Sequence, residues 1–132
     1  MDERIFPNIS KTSKILDLDC GPGFWVIEFA SRGFKNIYAA DLTETAIELV
    51  KKRAELYSAT VETSVSNAEK LKFEDDEFDH VNCQGVIHYS PDTEACIREI
   101  HRILKASGTA SISVYYKNFR LYISCLIACF PL

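Results

Sequence analysis

Residues 15–25 read "ILDLDCGPGFW". A short apolar run stops at two glycines and a proline, then restarts as a longer apolar pattern. Ile15, Leu16 and Leu18, interrupted by Asp17 and Asp19, have the composition of a buried strand. Cys20-Gly21-Pro22-Gly23 is a turn, and Phe24, Trp25, Val26, Ile27 and Phe29 open a helix that Gly33 stops. Strand, glycine turn and helix in that order are how open α/β sheets cradle a nucleotide-like ligand.

The alternation continues down the chain. Asn36 to Asp41 reads as a second strand, followed by Asp41 or Thr43 as helix cap and apolar positions at Ala46, Ile47, Val50, Ala54 and Tyr57. Ala59 to Val65 is a third strand, rich in Thr and Val. Residues 66–77 are a polar loop or broken helix anchored by Leu71 and Phe73, and Phe78 to Gln84 is a fourth strand stopped by Gly85. Ser90 as cap and Pro91 in the first turn start a helix whose buried stripe is Cys96, Ile97, Ile100, Ile103 and Leu104. Gly108 ends the connection to a fifth strand, Thr109 to Tyr115. From Leu121 the chain is strongly apolar but too short to span a bilayer, and it reads as a last helix covering the sheet.

About five strands separated by helices imply an α/β fold, a doubly wound, mainly parallel, Rossmann-like sheet with helices on both faces. One domain is expected, with a lead over 1–13, a core over 14–116 and an apolar tail over 117–132. Ligands in such sheets bind beyond the carboxyl ends of the strands, near the first one. That rim collects Gly21 to Gly23, Asp41, Asn67 and Gln84.

The 132 residues, 47% hydrophobic and 26% charged, suit one soluble globular domain. A net charge of −4 provides no basic field for nucleic acid or an anionic membrane. The five cysteines are odd in number and include no Cys-x-x-Cys, so a cytoplasmic protein without a disulfide framework is expected. Cys125 and Cys129 could share a helix face, but without nearby histidines they make no zinc site, and no metal is expected.

The glycine turn matches the dinucleotide fingerprint at only two of its three small positions, because Val26 stands at the third. A nicotinamide oxidoreductase is therefore a poor fit, and the phosphate-loop motif is absent. Asp41, at the end of the second strand, suits either the two hydroxyls of a ribose or a helix cap.

Four stretches in order, "ILDLDCGPG", "IYAADLT", "SNAEKLKFEDDEFDHVNCQGVIHYSPD" and "REIHRILKASGTASISVY", resemble a class I S-adenosylmethionine-dependent methyltransferase. The nearest group is the small-molecule one that includes quinone-biosynthesis enzymes, and the resemblance spans roughly residues 14 to 116. It implies S-adenosylmethionine as cofactor and a small-molecule methyl acceptor. It also implies that Asp17, Asp19, Cys20, Gly21 and Gly23 form the loop under the methionine part, while Asp41 holds the ribose. Asn67 would stand where an aspartate often meets the adenine amino group, with the Ala68 backbone against the ring. Gln84 and Gly85 would end the fourth strand beside the methionine moiety. His88 and Tyr89 would face the acceptor, His88 being the candidate base. His80 and His101 read as structural or solvent-facing.

Three departures from that pattern stand out. Asp19 replaces the first glycine of the series, adding a side chain and a charge. Beside a cofactor carboxylate it would repel, by ~1 kcal/mol or more; beside a sulfonium it would attract. Weakened binding is expected. The usual Leu-Lys-Pro-Gly-Gly turn is Leu104-Lys105-Ala106-Ser107-Gly108. Finally, the family sheet has seven strands, the last two forming an antiparallel edge, so the chain reads as truncated, with an apolar tail that favours a homodimer. The alternative to an enzyme is a non-catalytic methyltransferase-like module acting through a protein partner.

Overall fold

Strand β1 (Lys14–Leu18) is buried over its last four residues, the pattern of a strand covered on both faces. It pairs in parallel with β2 (Asn36–Asp41), Ile15 opposite Ile37, and with β4 (Phe78–Gln84), Asp17 opposite Asn82. β3 (Glu62–Val65) extends the sheet beyond β2 and β5 (Leu104–Tyr115) beyond β4, both in parallel. β6 (Tyr122–Ala128) adds an antiparallel strand beside β5, giving the order β3-β2-β1-β4-β5-β6. This computed structural model describes residues 6–115 and 122–128.

Successive β1 residues point to opposite faces, and each face has its own core. Helices α1 (Phe24–Ser31) and α2 (Glu44–Leu56) cover one face, where Val26, Phe29, Ile47 and Val50 pack on Ile15, Ile37 and Ala39. Helix α3 (Thr93–Ile103) covers the other with Cys96, Ile100 and Ile103 over Leu16, Leu18, Val81 and Cys83. The strand order reverses between β1 and β4, so the crevice above those two carboxyl ends is the switch point of the sheet.

The five expected parallel strands all form, and the tail is where the structure departs most. Residues 122–128 are not a helix but β6, in register from Thr109 opposite Ala128 to Tyr115 opposite Tyr122. A short apolar run without helical spacing carries no marker separating strand from helix. The free edge of β5 supplies the backbone donors and acceptors that decide it. The rest of the tail, including Cys129, lies outside the described residues.

Smaller corrections have local causes. β5 begins at Leu104, directly after α3, and the expected Gly108 turn is a register shift against β4 between Phe78 and His80. β3 is four residues, starting at Glu62 rather than Ala59. Helix α3 is capped by Asp92, whose Oδ1 accepts from the Ala95 N–H at 2.8 Å, not by Ser90. Ile97 faces outward and is 41% exposed.

The polar segment 66–77 is a loop, as expected. Leu71 is buried and Phe73 packs against the α3 side. Arg102 of α3 ties it down, donating to the Leu71 and Phe73 carbonyls and to Asp75, while Glu99 accepts from the Leu71 N–H at 2.7 Å.

Candidate functional site

The carboxyl ends of β1, β2 and β4 open onto a cleft of about 470 Å3. Its walls include Asp19, Gly21, Asp41, Asn67, Ala68, Glu69, Tyr89 and Ser90. The glycine turn is bolted to β2. The Cys20 N–H donates to the Ala40 carbonyl at 3.1 Å, and the Gly23 N–H folds back to the Cys20 carbonyl at 2.9 Å.

Asp41 organises the junction. Its Oδ2 accepts from the Gly21 N–H at 3.0 Å, and its Oδ1 accepts from both the N–H and the hydroxyl of Thr43 at 2.9 Å. Thr43 is the cap of α2, its Oγ1 accepting from the Ala46 N–H at 3.3 Å. Asp41 therefore orients the glycine turn and the cap residue together. A carboxylate has about four acceptor sites, so it retains capacity toward the cleft.

Asp19 has φ 55°, the left-handed region where a side chain costs roughly 1–2 kcal/mol and where glycine is free of strain. Its partly buried carboxyl lines the cleft. Burial, and then the charge of Asp41, push its pKa up to about 6.

Behind it, Asp17 is 1% exposed. Its Oδ1 accepts from the Asn82 amide at 2.7 Å, and its Oδ2 meets no hydrogen-bond partner among the described residues. Burial raises the Asp17 pKa to about 7; the Asn82 hydrogen bond opposes the rise, and Asp19 and Asp41 add to it. Asn82 Oδ1 accepts from Gln84 Nε2, which also donates to the Ser111 carbonyl. Gln84 thus ties β4 to β5 and is not among the residues lining the cleft.

A carboxyl with an ordinary pKa when unfolded and about 7 when folded binds its proton more tightly in the folded protein. Its stabilising contribution is present at low pH and is lost as pH rises from about 4 through about 7. Asp19 acts in the same direction up to about 6, whereas His80, held near 4 by burial, acts oppositely between about 4 and 6.5. Asp17→Asn keeps an acceptor for Asn82 and removes the charge. Its stability relative to the parent should therefore climb between pH 4 and 7.5 in thermal melts. A constant difference would refute the buried-charge assignment.

The remaining expected site residues serve as supports. Cys20 is buried, with its thiol toward the Gly21 carbonyl, and burial with the neighbouring carboxylates keeps it protonated. Gly23 packs against Val50 of α2. Gly85 ends β4 at φ 77°, its N–H bonded to the Ser113 carbonyl. His88 and Tyr89 share a 3-10 turn, Ile87–Tyr89, with rings 4.1 Å apart, and of the two it is Tyr89 that lines the cleft. His80 is buried, its Nδ1 2.8 Å from the Thr109 hydroxyl, and His101 is exposed on α3.

Glu69 is the wall residue that the sequence concealed. Its Oε1 accepts from the Ser90 hydroxyl and, at 3.1 Å, from the Asp92 N–H, joining the loop after β3 to the loop after β4. No local pattern links two residues 21 positions apart. Among the described residues no cluster of His, Cys, Asp and Glu could hold a metal ion, and no helix is long and apolar enough to cross a membrane.

Residues 16–112 match the family described as methyltransferase domain. A ubiquinone biosynthesis O-methyltransferase from Neisseria meningitidis is 28% identical over 117 residues, 87% of this chain and 49% of the relative. Among solved structures, the PH0226 protein from Pyrococcus horikoshii is similar with TM-score 0.73 and 32% identity, covering 81% of this chain and 51% of that one. A putative methyltransferase from Bacillus halodurans has TM-score 0.76 and 28% identity, covering 81% and 46%. The chain spans about half the length of these proteins.

Proposed function

Because the chain belongs to the methyltransferase domain family, we propose that it binds S-adenosylmethionine in the cleft above β1, β2 and β4 and serves methyl transfer to a small-molecule acceptor. The observation that carries this reading is Asp41, half-buried at the cleft with both oxygens oriented by Gly21 and Thr43. A carboxylate fixed in that way has a site free on Oδ2 for one ribose hydroxyl, and takes the second once the Thr43 hydroxyl turns from Oδ1 to another acceptor.

The other residues fit the same ligand. A cleft of about 470 Å3 is within the usual size for a small-molecule site. Its described walls hold three carboxylates, Asp19, Asp41 and Glu69, and no basic side chain, which suits a ligand carrying positive charge. The Asp17 Oδ2 left without a partner is a buried acceptor directly behind the turn. In this reading Asn67 and Ala68 take the adenine side. The turn from Asp19 to Gly23, backed by Asp17, takes the methionine side, supported by Gln84 and Gly85.

The bound cofactor would supply a methyl group on a sulfonium, so the protein contributes alignment and exclusion of water rather than a covalent step. Tyr89 is the side chain placed to meet an acceptor. A base is required only where that acceptor must lose a proton, and His88 would have to turn toward the cleft to serve. The relatives named for O-methylation make a hydroxyl compound the first acceptor to screen. Cys20, Cys83 and Cys96 are free thiols, in keeping with a reducing cytoplasm, and a homodimer is the assembly to check by light scattering.

Titration calorimetry with S-adenosylmethionine tests the reading. Micromolar binding is the expected result. No binding to the parent chain or to Asp19→Gly would overturn it and leave a module acting through a protein partner.

A further inference from the structure

We propose that Asp19 makes the cleft selective for ligand charge, favouring the sulfonium methyl donor over the neutral thioether that remains after transfer, so that fresh donor displaces spent ligand more readily than it would with glycine at this position. The inference rests on the cofactor reading above and concerns the ratio of two affinities rather than either one alone.

Position carries the first part of the argument. Asp19 lies on the cleft wall at φ 55°, and the next residue, Cys20, is bonded through its N–H to the Ala40 carbonyl. The backbone thus holds the carboxylate at the glycine turn. Asp41 has both oxygens and Glu69 its Oε1 engaged by N–H and hydroxyl donors, whereas Asp19 accepts no hydrogen bond among the described residues. Its charge is the least compensated on the wall.

The surroundings carry the second part. The titratable groups near enough to share its electrostatic field are Asp17 from β1, Asp41 from the end of β2, and the thiols of Cys20, Cys83 on β4 and Cys96 on α3. The thiols are held neutral by burial, the other two are carboxyls, and among the described residues no cation answers them. A positive centre brought to this corner would relieve repulsion that already exists; a neutral sulfur in the same place would not. With Asp19 held near 6, donor binding should favour its ionised form, so donor affinity rises with pH through that range more than product affinity does.

The test is calorimetry of S-adenosylmethionine and S-adenosylhomocysteine binding to the parent chain, Asp19→Asn and Asp19→Gly, at pH 7.5 and 5.5, with thermal melts to show each variant folded. Asparagine tolerates the left-handed backbone. At pH 7.5 the product-to-donor ratio of dissociation constants should be about tenfold larger in the parent than in either variant, the order expected for one partly screened charge pair. That excess of parent over variants should shrink at pH 5.5, where Asp19 is largely protonated. Equal ratios in all three proteins, with both ligands bound, would overturn the inference and leave the cofactor reading intact. Binding by the variants alone would show that Asp19 only obstructs, again overturning it. No binding by any of the three would overturn the cofactor reading and the inference with it.

Discussion

Alanine at position 41 is expected to weaken S-adenosylmethionine binding by about 100-fold or more. Two hydrogen bonds from ribose hydroxyls to a carboxylate are worth about 1.5–3 kcal/mol each, so losing both removes at least two factors of ten. The change also releases the Gly21 N–H and both Thr43 donors, which Asp41 now holds at 2.9–3.0 Å. The turn and the start of α2 would lose their common anchor, adding an ordering cost to every ligand that uses the turn. Asp41→Asn retains one carbonyl oxygen and should lose less, about tenfold. Calorimetry on the two variants decides the matter: alanine binding within threefold of the parent would refute the ribose assignment.

Gly23→Ala should lower folding stability by about 3 kcal/mol, the sum of a left-handed backbone cost and an overpacking cost. Gly23 sits at φ 81°, and a Cβ built there would lie 3.0 Å from Val50 Cγ2 and 3.4 Å from Val50 Cα. The turn that opens α1 is thus pressed directly onto the middle of α2. Val50→Ala in the same background should recover the packing part and leave the backbone part. In a denaturant-based double-mutant cycle the two changes should therefore couple favourably by roughly 1 kcal/mol or more. Strict additivity would place the whole cost in the backbone.

What could be read from residue order was whatever depends on near neighbours. The turn between β1 and α1, the five parallel strands, the α2 cap narrowed to Asp41 or Thr43, and the place of Asp41 all follow from glycine spacing, cap chemistry and periods of 2 or 3.6. Features set by distant partners were hidden. Asp17 looks like a polar interruption in an apolar strand, and its partner Asn82 is 65 residues away. Ser90 and Asp92 are equally good caps in isolation, and Ser90 is taken by Glu69, leaving the cap to Asp92. The tail pairs with β5 because an open edge was there to receive it, information that lies in the sheet and not in the tail. Cys20 and Gln84 belong to the glycine turn and to the strand end by position, yet their side chains turn inward to brace them.

The pairing of β1 with β4 sets the order in which this molecule can be assembled. β1 is made first, but its contacts with β4 close a span of about 65 residues, and such closures are slow because chain entropy is lost before any contact is gained. As the chain emerges during synthesis, β1, α1, β2, α2 and β3 can gather while one edge of β1 stays open. Asp17 then has no Asn82, and the turn has no opposite wall. Only when residues up to Gln84 are free does the second half of the crevice exist. A chain halted after β3 would carry every glycine of the turn and still have no site.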